Sequence, residues 1–421
     1  MTNLNLVLLP LDVLATIFAY LEISDLHNVM LTCKSLKEII VNESRVWRPR
    51  IHNKLIIQFY SDNYTFNLYN RCRISHNWRK GIFKNKVIIQ HNTNYMPWMK
   101  FHESKALFLS VSANLQCYSI DRKGLHRNNM LWTLTVPTVK RDDIRTNDIS
   151  RFVYKGRLLA CGNRDGSVAV FDMEDYTKKP TLLGHTKNCH QNGLVEVSAV
   201  DTINRNIVTV SDNSPSIMFW QRQTDNINIP YCCKTSLTLS GVTGCRCLAA
   251  SKCETQLAVG LNGNSKPLLL DVNTKKILIS PNDNMNSKQV VRDIQWRDDN
   301  TFVYVTHSSA LGMIDTRVGH TVYEAMDPFQ SSLYCVRTDS DNAVVVGCAE
   351  YSRCVLYDLR QTYRHVQIYF TQKKMSPVYS LDFDTSKLIA AADRGVAVLN
   401  FNVSSATTTP KDYSHAFQCI R

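Results

Sequence analysis

Between about residue 100 and residue 400 the chain repeats one unit. Short runs rich in Val, Leu, Ile and aromatic residues alternate with turn residues, and every third run ends in an acid or a relic of one. Ile120-Asp121, Phe171-Asp172, Leu270-Asp271, Ile314-Asp315 and Tyr357-Asp358 are the clearest endings, and Trp220-Gln221 and Leu399-Asn400 are the degenerate ones. Successive endings lie 51, 49, 50, 44, 43 and 42 residues apart. Runs of this composition between turn signals read as strands. A period this long without helices excludes ankyrin and tetratricopeptide stacks and suits the four-stranded blades of a propeller. Seven units, starting near Trp98, predict an all-β propeller of seven blades. A two-sheet sandwich would give no reason for such regular spacing. A strand near Val87–Gln90 would complete the last blade and leave the ring without an open edge.

The N-terminal stretch follows a different period. Leu14, Ile17, Phe18 and Leu21 fall at i, i+3, i+4 and i+7, one face of a helix. Leu11, Val13, Ala15 and Tyr20 make most of the remaining circumference apolar, and a helix apolar nearly all round needs cover on both sides. Pro10 suits a helix start and Asp12 the positive end of the helix dipole. Ser24 as N-cap and Asp25 announce a second helix carrying Leu26, Val29, Met30 and Cys33. Leu36, Ile39 and Ile40 mark a third, and Trp47 closes the segment. About 40 residues cannot bury enough surface to stand alone without a metal, disulfides or a partner. A plain helical cap packed on the rest of the chain is the alternative to a partner-binding module. The expected division is a small all-α module at 5–50, a basic, partly helical connector at 51–86, the propeller at 87–405 and a tail at 406–421.

The set Leu9-Pro10, Asp12, Leu14, Ile17-Phe18, Tyr20-Leu21, Asp25-Leu26, Val29, Cys33 and Trp47 resembles the F-box. The strand units resemble WD repeats. Gly184-His185 precedes a strand, Asp165-Gly166 lies six residues before Phe171, and His185 and Trp220 recur in the next blade. Together with His76-Asn77-Trp78-Arg79-Lys80-Gly81 in the connector, the layout is similar to that of the F-box/WD-repeat proteins. A closer likeness to one type within that family rests on Asn77-Trp78, Met96-Pro97-Trp98-Met99, Ser332-Leu333-Tyr334-Cys335, Tyr357-Asp358-Leu359-Arg360 and Ser376-Pro377-Val378-Tyr379.

The resemblance implies a substrate-recognition subunit of a cullin–RING (SCF-type) ubiquitin ligase, itself no catalyst. The F-box would bind the Skp adaptor, and through it the cullin–RING core, with Leu9, Pro10, Leu14, Ile17, Phe18, Leu21, Leu26 and Trp47 forming or supporting the interface. The propeller would bind a protein substrate on its top face. In WD repeats the residue after the first apolar position of each inner strand points to the top of the central channel, which selects Glu196, Arg246, Arg292, Tyr334 and Tyr379. Arg164 joins them from the turn before Asp165. Several relatives hold a phosphorylated segment with such arginines, whose planar donors bind phosphate bidentately. Arg164, Arg246 and Arg292 would then be phosphate contacts, and Tyr334 and Tyr379 aromatic anchors.

Composition limits the other functions. No Gly-rich phosphate loop, nucleophile elbow or His-Glu-x-x-His motif occurs. The fourteen cysteines include no Cys-x-x-Cys pair. Cys232-Cys233 are adjacent, and Cys245, Cys247 and Cys253 lack a second ligand pair at zinc spacing, so neither a metal nor another cofactor is expected. Cys117, Cys161, Cys335, Cys348 and Cys354 lie in strand-like runs as small hydrophobes, and reduced buried thiols imply the cytoplasm or nucleus. No apolar run reaches the length of a membrane span, and the apolar N-terminus, with Asp12 inside it and no basic start, does not read as a signal peptide. Of the net charge of +13, the stretch from Arg48 to Lys86 carries +8, including Arg71, Arg73, Arg79, Lys80, Lys84 and Lys86. Charge alone admits nucleic acid, but no nucleic-acid motif accompanies it, so a solvated connector or a surface for an acidic protein is expected.

Three alternatives stay open. One is a WD scaffold without a ligase role, and another an RNA-associated protein using the basic connector. The third is a receptor for the damage-binding adaptor of the other large cullin family, suggested by Asp315-Thr316-Arg317 and Asp358-Leu359-Arg360.

Overall fold

Five helices precede seven antiparallel four-stranded sheets in the computed structural model, which describes residues 6–53, 55, 57, 66–91, 94–121, 124–141, 148–204, 206–221, 232–281, 288–404 and 408–411. The helices are α1 (Leu11–Tyr20), α2 (Ile23–Thr32), α3 (Lys34–Asn42), α4 (Ser44–Asn53) and α5 (Leu68–Lys80). Leu14, Ala15, Phe18, Leu26, Met30, Leu36, Ile40, Val46 and Trp47 form one buried cluster between them. The second helix starts at Ile23 after Glu22, without a side-chain cap, so Ser24 lies inside its first turn. Trp47, expected to close the segment, lies in a fourth helix, α4, and its indole N–H donates to the Ile40 carbonyl at 2.7 Å. Arg50, also on α4, is buried and donates to the carbonyls of Phe18 and Leu21. A cation there suits the negative end of α1.

The connector is less solvated than its charge suggests. Asn67 caps α5 by accepting from the Asn70 N–H. Gly81 ends it in the left-handed region at φ 64°, which glycine adopts without strain. The helix is buried on two sides. Cys72, with Leu68 and Tyr69, packs on the helical cluster, while Ile74 and Trp78 enter the core of the last two blades. Trp78 stacks on Phe401 at 3.7 Å, and its indole N–H donates to the Thr385 carbonyl at 3.0 Å. Asn77 bridges to the carbonyls of Phe401 and Val403 at 2.8 and 2.9 Å. Arg73 bonds Val403 and Asn402, so one of the counted basic residues is a structural donor. Connector residues 54, 56 and 58–65 and tail residues 406–407 and 412–421 lie outside the described residues.

Each blade runs in simple order from inner to outer strand, and the inner strands are Met99–His102, Ile149–Lys155, Ala199–Ile203, Cys245–Ala250, Val291–Trp296, Leu333–Thr338 and Val378–Phe383. The last blade closes across the ring. Strand β1 (Lys84–Gln90), which precedes blade one, pairs antiparallel with Gly395–Asn400, from Lys84 opposite Asn400 to Gln90 opposite Gly395. That strand is three residues longer than the expected Val87–Gln90 segment. Neighbouring blades approach closely where a second strand carries glycine: a Cβ on Gly347 would lie 2.8 Å from a Val378 methyl of the next blade. The Cys335 thiol donates across the same seam to the Val378 carbonyl at 3.4 Å.

The His–Trp pairing uses another histidine than expected. Gly184-His185 lies within an outer strand, Thr181–Thr186, not before one. In blade three it is His190 Nε2 that is hydrogen-bonded to Thr209 Oγ1 at 2.9 Å, and Trp220 Nε1 donates to the same oxygen at 2.8 Å. Cys117, Cys161, Cys335, Cys348 and Cys354 are buried in strands, where loss of solvent pushes their thiols up, that of Cys117 to about 12.

Candidate adaptor and substrate surfaces

Helix α1 divides the apolar residues of the N-terminal module between two faces. Leu14 and Phe18 point into the helical core, as do Leu26 and Trp47 from α2 and α4, so these four expected interface residues act from beneath the surface. Leu9 and Leu21 are half-buried, and Pro10 and Ile17 are exposed. The outer face also carries Val13 and Tyr20, which are not in the expected interface set. Val13, Ile17 and Tyr20 recur at i, i+4 and i+7, and Tyr20 is 87% exposed; Leu8, Leu11 and Leu31 are exposed as well. The signal for them was present in a helix apolar around its circumference.

The second surface lies at the top of the propeller channel. Inner strands in blades two, four, five, six and seven share a register shift near their first residue, between Ile149 and Arg151, Cys245 and Cys247, Val291 and Asp293, Leu333 and Cys335, and Val378 and Ser380. A bulge leaves one residue unpaired and re-aims its side chain. The five skipped residues are Ser150, Arg246, Arg292, Tyr334 and Tyr379, and all line one cavity of about 220 Å³. Arg164 and Glu196 complete its wall, so the structure brings the six expected top-face residues together. Glu196 arrives differently. It sits on the loop before the inner strand Ala199–Ile203, and Ser198 also lines the cavity. Trp98 and Arg151, not expected at the site, share the lining, with the Arg151 guanidinium 4.2 Å from the Trp98 ring centre. A second cavity of about 580 Å³ opens beyond Arg246 and Arg292, lined also by Asp212, Thr243, Asn262, Gly263 and Val290.

The charges are unevenly matched. Arg151 reaches Asp293 of blade five at 2.9 Å, and Arg337 reaches the same carboxylate at 3.3 Å. Arg246 pairs with Asp212 and lies 3.6 Å from Glu196. Arg164 pairs with Glu196 at 3.3 Å. Arg292 makes no ion pair among the described residues. Its Nη2 meets His307 Nδ1 at 3.2 Å, its guanidinium lies 4.9 Å from the Tyr334 ring centre, and its Nε is buried without a hydrogen-bond partner. Burial, then the charge of Arg246, lowers the pKa of Arg292. Burial, then the Asp212 carboxylate, raises that of Glu196 against the pull of Arg164 and Arg246. Tyr334 and Tyr379 meet edge to face at 5.7 Å.

Arg317 and Arg360 fold back onto Asp315 and Asp358 in two-pronged pairs at 2.6 to 3.0 Å and 2.7 to 2.9 Å. Among the described residues no group of three His, Cys, Asp or Glu is placed to hold a metal ion, and no helix is long and apolar enough to cross a membrane.

Residues 6–51, which contain α1 to α3 and most of α4, match the F-box-like family model. The chain is also similar to F-box/WD repeat-containing protein 4 of mouse and of human, each 22% identical over 403 residues that cover 93% of this chain and 92% of the relative. That relative is the type within the F-box/WD-repeat family that the stretches around Trp78, Trp98, Tyr334, Asp358 and Tyr379 resemble.

Proposed function

We propose that this chain is a substrate receptor of an SCF-type cullin–RING ubiquitin ligase, working in the cytoplasm or nucleus and performing no catalysis itself. The outer face of α1 binds the Skp adaptor, and the top cavity binds a protein substrate. The observation that carries this reading is the uncovered stripe of Val13, Ile17 and Tyr20 on a module matching the F-box-like model. A stripe of that kind on so small a module calls for a partner's surface. Similarity to F-box/WD repeat-containing protein 4 over nearly the whole chain supports the pairing of that module with a substrate-binding propeller.

Transfer of ubiquitin then falls to an enzyme brought by the cullin, and the chain contributes proximity, holding a substrate lysine near the charged thioester. At the cavity, Arg164, Arg246 and Arg292 are the groups for an anionic, phosphorylated segment, and Tyr334 and Tyr379 those for an apolar side chain.

Co-purification of the full chain with the Skp adaptor and cullin, beside a version lacking residues 6–51, tests the assignment. Recovery of both proteins by the full chain alone is expected. A full chain that folds and recovers no adaptor would leave a WD scaffold.

A further inference from the structure

We propose that Glu196 is a built-in competitor for the substrate's anion, filling the inner part of the top cavity and leaving Arg292 as the cation that an incoming anion meets. The inference rests on the substrate-receptor reading and concerns which anion that receptor accepts.

Four arginines line the inner cavity, and they are not equivalent. Arg151 is tied to Asp293 and to the Arg292 carbonyl, at 2.9 and 2.8 Å. Arg164 and Arg246 both face Glu196, one through each carboxylate oxygen, at 3.3 and 3.6 Å. Glu196 therefore stands where a ligand bridging these two arginines would place its own oxygens. Among the described residues Arg292 meets no carboxylate and keeps an unpartnered Nε, and it belongs to the walls of both the inner and the outer cavity. A desolvated cation with unused donors is the strongest remaining attraction for an anion.

Glu196 is also held at a cost. It comes from a loop, is mostly buried, and shares Arg246 with Asp212. An internal anion so placed discriminates by charge. A single carboxylate gains little by replacing another carboxylate, whereas a doubly charged phosphoryl group gains from Arg292 and from the arginines it takes over. The filter is a negative element, a repulsion that rejects weaker ligands.

The test uses the full chain and three oriented peptide pools, fixed at one position as phosphothreonine, glutamate or glutamine. The wild-type chain is expected to select the phosphothreonine pool alone. Glu196→Gln, which keeps the shape and removes the charge, is expected to select the glutamate pool as well, with affinity raised about tenfold. Arg292→Gln is expected to lose both. Thermal unfolding and adaptor recovery show that each variant is folded. Equal selection of phosphothreonine and glutamate by the wild type overturns the proposal, as does a Glu196→Gln chain that behaves like wild type. Retention of phosphothreonine selection in Arg292→Gln also overturns it. A folded wild type that recovers adaptor but selects no anionic pool sinks this inference and leaves the receptor reading standing.

Discussion

His190 shows how far one side chain depends on its surroundings. Burial lowers its pKa from the ordinary 6.5 to about 4, so blade three holds it neutral against Thr209. The unfolded chain binds a proton between those two values and the folded chain does not, so stability falls as pH falls through that window. The contribution is complete above about pH 6.5 and lost near pH 4, at most about 3 kcal/mol. Denaturant titrations of wild type and His190→Gln at pH 7 and pH 4.5 check this. The wild type should lose more stability than the variant on acidification, and a parallel loss would refute it. The sequence points to His185 instead, because Gly184-His185 has the familiar spacing. The partner is chosen by which imidazole the fold brings to Thr209, and that is His190 on the next loop.

At the scale of the element, α1 carries two apolar faces with different duties. Phe18 is 1% exposed and Tyr20 87%, although they are two residues apart. Phe18→Ala should cost the helical module about 3–5 kcal/mol through the cavity it leaves. Tyr20→Ala should shift stability by less than about 0.5 kcal/mol and still weaken adaptor capture. Urea denaturation with adaptor recovery for both variants separates the two. A Tyr20→Ala chain with normal recovery would exclude this face as the adaptor surface. Periodicity reveals that such a helix needs cover on both sides, but which side faces its own module is set by where α2, α3 and α4 pack. The bulges of the inner strands have the same character. Position along the strand could be read by resemblance, while the unpaired residue and its aim come from the register with the second strand.

For the whole molecule, α5 ties the helical cluster to the end of the last blade away from the top cavity. Trp78 is anchored at Thr385, beyond the far end of the strand Val378–Phe383 whose second residue is Tyr379, about 20 Å away along extended backbone. Ring closure depends on β1, so truncations should divide sharply. A chain beginning at Asn67 keeps β1 and should stay monomeric, whereas one beginning at His91 exposes the edge of Gly395–Asn400 and should self-associate in light scattering. Two monomeric products would count against closure by β1. The sequence by itself determined the repeat, the seven blades and the helical module, because alternation and helical spacing are local properties of neighbouring residues. It also marked the arginines and tyrosines of the top face. Only the tertiary structure decided that Glu196 stands between Arg164 and Arg246, that Arg292 meets no carboxylate among the described residues, and that Arg50 is a buried donor and Arg73 a half-buried one. Charge pairing and burial depend on residues distant in the chain, and no local pattern encodes which of them will meet.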